Sequence, residues 1–526
     1  MMRGDMRTPE PIEVLSTAEM GEADRQAPSF WALMQRAGEA VADAAVAMLD
    51  GDRLRRVLVL CGPGHNGGDG YVAAAILRER GFDVVVAALP PATVVQGDDV
   101  RAASLWGGPV AVVDQVELAT ADLIIDALFG AGLSRDLEGD AAALVDRVNA
   151  TGRPVLAVDV PSGIAGDSGL VKGTAIRATR TVTFFRLKPA HLLQPGRAQC
   201  GAVRLADIGL PGSVLDRIRP TLFHNCPPLW QLCYPVPSAS GHKYSRGHVV
   251  VVSGGMPTTG AARLAARGAL RIGAGLVTMA SPPDAVMTHA AHLDAIMLRP
   301  FDGIGALDEI LSDARRNAVV LGPGLGDGDA VRGLVDCTLQ RPSGGARAVV
   351  LDADALTVYA GQADRLGAAI RSGGCAVVAT PHDGEFARLF GRDDPVVKDA
   401  NKIARARAGA GRLGAVLVLK GADTVIAEPD GRVAITAADA PWLATAGSGD
   451  VLSGFAGGLL AQGMPAFEAA CAAVYLHAAC GRRFGPGLIS EDLPETLPAV
   501  LRDLLNARST DLEPAAQPPG GLIEER

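Results

Sequence analysis

The stretch RVLVLCGPGHNGGDG, residues 56–70, decides the fold. Its first six residues form a branched, aliphatic run without polar alternation, which predicts a strand covered on both faces. The run breaks at a Gly/Pro/Asn loop, and the helical pattern GYVAAAILRERG follows it. Strand, glycine loop and helix in that order is the unit from which parallel sheets are wound.

The same rhythm extends outward on both sides. Upstream, residues 16–49, with SFWALMQRAGEAVADAAVAML at their end, place apolar residues at helical spacing and predict one or two opening helices. Downstream come the strands FDVVVAAL (82–89), ADLIIDALFG (121–130), PVLAVDVPSG (154–163) and RTVTFF (180–185), with the helical LEGDAAALVDRVNA (137–150) among them. Between residues 210 and 243 the pattern fails, with prolines at 211, 220, 227, 228, 235 and 237. It restarts at HVVVVSGG (248–255) and continues through TGAARLAARGALRIGAG (259–275), AVVLGPGLG (318–326), AVVLDADAL (348–356), CAVVATPHDGE (375–385) and GAVLVLKG (414–421). An Ala/Gly-rich helical region from 451 to 484 closes it.

The expected organisation is therefore two α/β domains, at 10–215 and 236–505, with a linker at 216–235 and a polar, disordered tail at 506–526. The 526 residues allow a full core in each domain, and a 48% hydrophobic, 4% aromatic composition fits small-residue α/β packing. With 49 basic against 58 acidic residues, a net charge of -9 leaves no footprint for nucleic acid. No signal peptide or membrane-spanning run is read, so a cytoplasmic location is expected. Eight cysteines without a CxxC pair and nine histidines without HExxH argue against a disulfide framework or a zinc site, and the thiols read as mostly buried.

Three loops of the first domain follow strand ends, where ligands of parallel sheets bind. They are GPGHNGGDG (62–70), the FGAGL that follows Asp126, and the VPSG that follows Asp159. Glycines before a helix let backbone N–H groups converge on an anion, although glycines also serve as plain turn formers. Together with IIDALFGAGL, DVPSG and FFRLKPAHLLQPGR, the first loop resembles the NAD(P)HX epimerase domain of bifunctional NAD(P)H-hydrate repair enzymes, over residues 10–215. The resemblance implies a Rossmann-like three-layer domain. It assigns the substrate to His65, Asn66, Gly67, Gly68 and Asp69, to Gly130, Ala131, Gly132, Leu133, Ser134, Arg135 and Asp136, and to Asp159. It further implies K+ at Asn66, Asp126 and Ser162, all oxygen donors suited to a hard cation. Where that family has a first asparagine before its second, this chain has His65. Epimerisation needs proton transfer, and Asp159 with Lys188 are acid/base candidates; Lys188 could instead hold a phosphate.

In the second domain AGSGDVLSG (446–454) opens a helix. A Gly-Ser-Gly turn there aims successive amides at one spot, and Asp450 in the first turn can take a proton from an attacking hydroxyl; the plain reading is a helix cap. With LKGADT (419–424), PHDGE (381–385) and HKYSRGHVVVVSGG, the segment resembles the ribokinase-like fold and, in detail, the ADP-dependent NAD(P)HX dehydratase family over 236–505. The resemblance assigns the adenine nucleotide to Lys420, Gly421, Ala422, Asp423 and Thr424 and to Gly447, Ser448 and Gly449. It makes Asp450 the base and a substrate contact, and gives the hydrated dinucleotide Ala261, Gly324 and His382. Asp383 stands where that family commonly has proline.

The implied reaction phosphorylates the 6-hydroxyl of the S hydrate, Asp450 taking the proton and the 447–449 amides steadying the phosphoryl group; the ring nitrogen then expels phosphate. ADP is the implied co-substrate and Mg2+ its expected counter-ion. The expected partners are NADHX, NADPHX and ADP, with no nucleic acid and no membrane, and a homo-oligomer is the expected state. Two other readings remain at this point: a ribokinase-like small-molecule kinase, and a first domain that binds nucleotides without catalysis.

Overall fold

The computed structural model describes residues 11–89, 97–340, 346–437 and 439–512. The chain divides into two compact units, one built from residues 1–232 and 382–438, the other from 233–381 and 439–526.

In the first unit seven strands form one parallel sheet. Their order is Val110–Val112, Asp83–Ala88, Arg56–Cys61, Leu123–Ala127, Val155–Val158, Arg180–Phe184 and Ala202–Ala206. The apolar run at 57–61 is buried on both faces for a visible reason. Val57, Val59 and Cys61 belong to one core cluster with the helix Phe30–Met48, whereas Leu58 and Leu60 belong to another with Leu144 and Val145. Each such side chain contributes roughly 1.5–3 kcal/mol of burial, and alternation would have left one face wet. Both faces are covered, as the wound α/β class requires.

Strand order reverses between Arg56–Cys61 and Leu123–Ala127, so the loops that leave them diverge and open a crevice. The helix that follows the first loop begins earlier than the sequence suggests. It spans His65–Glu79, so only Gly62–Gly64 is loop and HNGGDG is helical. Packing explains the glycines in it. A Cβ on Gly67 would stand 2.0 Å from the carbonyl oxygen of Gly62, and one on Gly70 would stand 2.6 Å from Ala127 Cβ. A Cβ on Gly62 would stand 1.7 Å from Leu128 O, across the switch point.

The same unit holds a second set of strands, ordered Glu13–Val14, Leu222–His224, Val433–Thr436, Thr424–Ala427 and Val416–Leu419. Leu222–His224 lies in the proline-rich segment expected to be only a linker. It pairs in parallel with Val433–Thr436 and antiparallel with Glu13–Val14.

The second unit carries six parallel strands, ordered Met297–Pro300, Leu276–Ser281, His248–Val252, Ala318–Leu321, Ala348–Leu351 and Ala376–Ala379. The reversal here falls between His248–Val252 and Ala318–Leu321. A Cβ on Gly254 would stand 1.7 Å from Gly324 O, again across the switch point. The long helical region is two helices, Ser448–Ala461 and Ala466–Phe484. The first packs closely because Gly454 and Gly458 face the helix Thr259–Arg271, with Cβ positions that would fall 2.1 Å from Ala265 O and 2.2 Å from Ile272 Cγ2.

The last helix runs Asp492–Leu512, so the start of the segment expected to be disordered is helical, and residues 513–526 lie outside the described ones. Four of the eight free cysteines are buried, three are half-buried and Cys233 is exposed, fewer buried than the composition suggested. Among the described residues no helix is long and apolar enough to cross a membrane.

Candidate active sites

A cavity of about 720 Å3 opens at the switch point of the first unit. His65, Asn66 and Asp69 from the helix start, the whole run Gly130–Arg135, Asp159 and Lys188 all line it. The sequence reading brought these residues to one place, and the fold does so.

Asp159 is the centre of the polar end. Its backbone adopts φ 64°, a left-handed conformation that costs a non-glycine residue about 1–2 kcal/mol. Neighbours hold it there: Asp159 N–H donates to Val182 O at 2.7 Å, and Asp159 O accepts from His191 Nε2 at 2.8 Å. Lys188 N–H donates to His191 Nδ1 at 2.9 Å, so the His191 proton sits on Nε2. Burial brings that imidazole down to about 4 and keeps it neutral, as this pattern requires.

The Lys188 ammonium, 2% exposed, lies 2.8 Å from Asp159 Oδ1 and donates to Thr183 Oγ1 at 2.9 Å. Thr183 in turn donates to Asp159 Oδ1 at 3.0 Å, and the Ala131 amide donates to Oδ2 at 3.1 Å. Burial pushes the Asp159 carboxyl up, but the Lys188 charge and hydrogen bond outweigh it and hold the group below its usual value. Asp159 is therefore ionised and beside a proton source.

Asp69 shows the opposite behaviour. Burial first, then the charges of Asp159, Asp24 and Asp99, push it well above the usual carboxylate range. His65 bonds Asp99 through Nδ1 at 2.8 Å and packs on Phe30 with ring centroids 4.6 Å apart. The Asp99 hydrogen bond raises its pKa against desolvation, so protonation of this cavity-rim imidazole is favoured by its carboxylate partner.

Asp126 and Ser162 are fully buried and bonded to the loop that follows the switch strand. Ser162 Oγ donates to Asp126 Oδ1 at 2.6 Å and accepts from Phe129 N at 2.9 Å, while Ser162 N donates to Oδ2 at 2.8 Å. Burial pushes the Asp126 carboxyl up to about 6, with no cation beside it among the described residues. Asn66 Nδ2 is buried without a hydrogen-bond partner. Gly67 and Gly68 are buried in the helix and do not line the cavity, and Asp136 stands outside it, 4.0 Å from Lys172. Thr183, His191 and Asp99 were not singled out from sequence, because each acts on another site residue and leaves no motif.

In the second unit the helix Ser448–Ala461 begins after Gly447, whose φ of 85° suits glycine. Asp450 lies in its first turn, and the amides of that turn have no partner within the helix. Several bonds fix this turn. Ser448 Oγ donates to Leu443 O at 2.9 Å, His477 Nε2 meets Ser448 O at 2.9 Å, and Ser490 Oγ donates to Ala446 O at 2.5 Å. Ser453, one turn on, donates to Asp352 Oδ2 at 2.6 Å and registers the helix on the strand end of LDADAL. Gly324, with φ 69°, accepts from Thr258 Oγ1 at 2.6 Å, and Ala261 lies in the first turn of the helix Thr259–Arg271.

The residues Lys420–Thr424 and His382 belong to the first unit. His382 caps the helix Asp383–Phe390 through Nδ1, and its amide donates to Glu385 Oε2 at 2.8 Å. Lys420 Nζ lies 3.8 Å from the same oxygen. Asp383 occupies the first helical position, where both proline and an acid are favoured, and pairs with Arg405 at 3.0 Å. Asp423 is bonded to Lys402 Nζ at 2.8 Å and to the Gln194 amide at 2.7 Å.

Two family models match the chain: residues 31–190 match the YjeF-related protein N-terminus, and residues 249–497 match NAD(P)H-hydrate dehydratase. The chain is 36% identical to the bifunctional NAD(P)H-hydrate repair enzyme Nnr of Moorella thermoacetica, over 93% of this chain and 97% of that protein. It is 31% identical to Nnr of Escherichia coli, over 97% and 98%. The crystal structure of the ADP/ATP-dependent NAD(P)H-hydrate dehydratase of Bacillus subtilis with ATP and Mg2+ is 27% identical, covers 53% of this chain and 98% of that one, and superposes with a TM-score of 0.44.

Proposed function

Because the chain belongs to the family of bifunctional NAD(P)H-hydrate repair enzymes, we propose that it interconverts the R and S hydrates of NAD(P)H and dehydrates the S form, converting ADP to AMP and phosphate. The epimerase is assigned to residues 10–215, the dehydratase to 236–505 and the connection to 216–235. The soluble dinucleotide and ADP pools on which it would act are cytoplasmic, and so is the location proposed for it.

The observation that carries the epimerase reading is the Asp159–Lys188 pair in the cavity, an ionised carboxylate and an ammonium 2.8 Å apart. One can accept a proton while the other supplies one. The loop Gly130–Arg135 and His65 are assigned to the dinucleotide, whose phosphates suit the amides of a glycine-bearing loop. Potassium is assigned to Asn66, Asp126 and Ser162. The donor chemistry fits: Asp126 brings a buried carboxylate, Ser162 a buried hydroxyl oxygen and Asn66 an amide oxygen, all ligands for a hard cation. Such an ion would neutralise Asp126 and stiffen the loop at 128–131.

For the dehydratase, Asp450 is the proposed base for the 6-hydroxyl proton and the amides of Gly447, Ser448 and Gly449 the proposed phosphoryl contacts. Lys420–Thr424 are assigned to the adenine nucleotide, and Ala261, Gly324 and His382 to the hydrated dinucleotide, on the family resemblance. Among the described residues no group of three or more His, Cys, Asp or Glu is placed to hold a metal. Mg2+ is assigned to the nucleotide's own phosphates, where it would supply charge neutralisation.

The test is recovery of reduced-nicotinamide absorbance from a mixture of both hydrates, with ADP, Mg2+ and K+, after subtraction of spontaneous epimerisation. Complete recovery is expected. Recovery of only the S fraction would overturn the epimerase half, and no recovery would overturn both.

A further inference from the structure

The carbon that epimerisation inverts carries both the hydroxyl and the ring nitrogen. Such a carbon inverts without breaking a C–H bond. A base removes the hydroxyl proton as the C–N bond opens to an aldehyde, and the electron pair passes to the ring nitrogen, which takes up a proton. Closure on the other face reverses these transfers. Each opening thus uses one proton acceptor and one donor, and the two isomers present the hydroxyl on opposite faces. Asp159 with Lys188 forms one proton-transfer centre; a second proton-transfer group is needed for the other face.

The helix Thr17–Arg25 provides one. Thr17, Met20, Gly21 and Asp24 recur at the spacing of a single helical face, and all four line the cavity. Its placement is fixed at the start: Leu15 N donates to Leu187 O at 2.9 Å, next to Lys188, and Thr17 donates through its amide to Asp167 at 2.7 Å. A capping box between Ser16 and Glu19 closes the first turn. Among the described residues no group hydrogen-bonds or ion-pairs with the Asp24 carboxyl, although it is only partly exposed to solvent.

We infer that Asp24 is the second catalytic proton-transfer group of the epimerisation, working with the Asp159–Lys188 pair on a hydrate held in this cavity. The inference rests on the epimerase reading and deepens it. Burial pushes the Asp24 carboxyl up to about 6, with Lys188 opposing, Asp159 adding, and His65 and Arg25 opposing. Asp24 therefore exchanges a proton near neutrality, whereas Asp159 is held below the ordinary carboxyl value and Asp69 is pushed well above it. Carboxyls whose surroundings separate their protonation states are the usual mark of an acid/base set.

The experiment compares the full chain with Asp24→Asn and Asp24→Glu, following R-to-S conversion by separation of the isomers from about pH 5 to 8. Asp24→Asn is expected to lower the catalysed kcat about 100-fold or more and to remove the pH–rate limb near 6, while Asp24→Glu restores part of the rate. Dehydration of purified S hydrate by the same variants is the internal control for a folded chain, and should be unchanged. A wild-type rate and limb in Asp24→Asn would overturn the inference and leave the epimerase reading standing. So would a loss with the limb intact, which marks a structural role. A wild-type chain without epimerase activity would overturn the reading itself.

Discussion

The two switch points are built by one device and equipped differently. In the first unit Gly62 lets the loop after one strand touch the carbonyl of Leu128, and in the second Gly254 does the same against Gly324, each where a Cβ would stand 1.7 Å from oxygen. The first crevice then gathers charge: Asp24, Asp69, Asp159, Lys188 and His65 line it. Around the second, Thr258 bonds Gly324 at 2.6 Å and Ser253 bonds His289 at 2.8 Å, Asp284 and Asp354 accept from the loop amides of Met256 and Gly326, and Asp450 comes from the helix start at Ser448. A shared strand order therefore fixes where the loops part, while the chemistry is set by which side chains are aimed there.

The comparison is broken most directly at Asp450. Asp450→Asn should lower kcat of dehydration by about 1,000-fold and leave R-to-S conversion untouched, since a lost base affects only its own site. Separate assays on purified isomers check this, and a parallel loss of both activities would show that the two sites are not independent. Next in size is Lys188→Met, expected to reduce epimerisation by about 100-fold or more and to cost about 3 kcal/mol in urea unfolding by stranding the buried Asp159. The sign with pH follows from the lowered Asp159 value. The pair stabilises above the ordinary carboxyl value of 3.8 and loses that contribution as pH falls through the native one, so wild type and variant should converge in acid.

A third test asks whether the two glycines are equivalent. Gly62→Ala and Gly254→Ala should each cost more than about 2 kcal/mol, because the obstacle is backbone. Gly411→Ala and Gly305→Ala, in exposed helix interiors with nothing within 4 Å, should instead stabilise by about 0.5–1 kcal/mol. Equal effects across the four would remove the packing argument. The smallest expected effect is that of potassium. Replacing a bulky monovalent cation by K+ should raise the Tm by about 2 °C, and Asp126→Asn should abolish the rise.

Much of this arrangement was legible in the residues. Unbroken apolar runs such as RVLVLC and AVVL mark strands buried on both faces, and the acids and glycines at their ends mark the crevice. The purpose of the glycines was not legible. HNGGDG reads as an anion loop, yet it is helix, and Gly67 and Gly70 answer to atoms that only the closed fold brings near. Leu222–His224 was missed because three residues among prolines carry no period; its partners, 13 and 433, are remote in sequence. Asp24 sits on a visible helical face, but nothing local says that this face borders a cavity rather than solvent.

The strand Leu222–His224 and the Asp423 contact to Gln194 bear on how the gene could be divided. Separate expression of residues 236–526 would leave Val433–Thr436 as a raw sheet edge, with its N–H and C=O groups open to pairing with another molecule. It would also leave Asp423 with Lys402 alone. Such a fragment should be sticky and poorly soluble, whereas a cut after 232 accompanied by co-expression of both pieces should let them reassemble. Two activities share this polypeptide, yet the boundary between matched families is not a seam along which it can be unpicked.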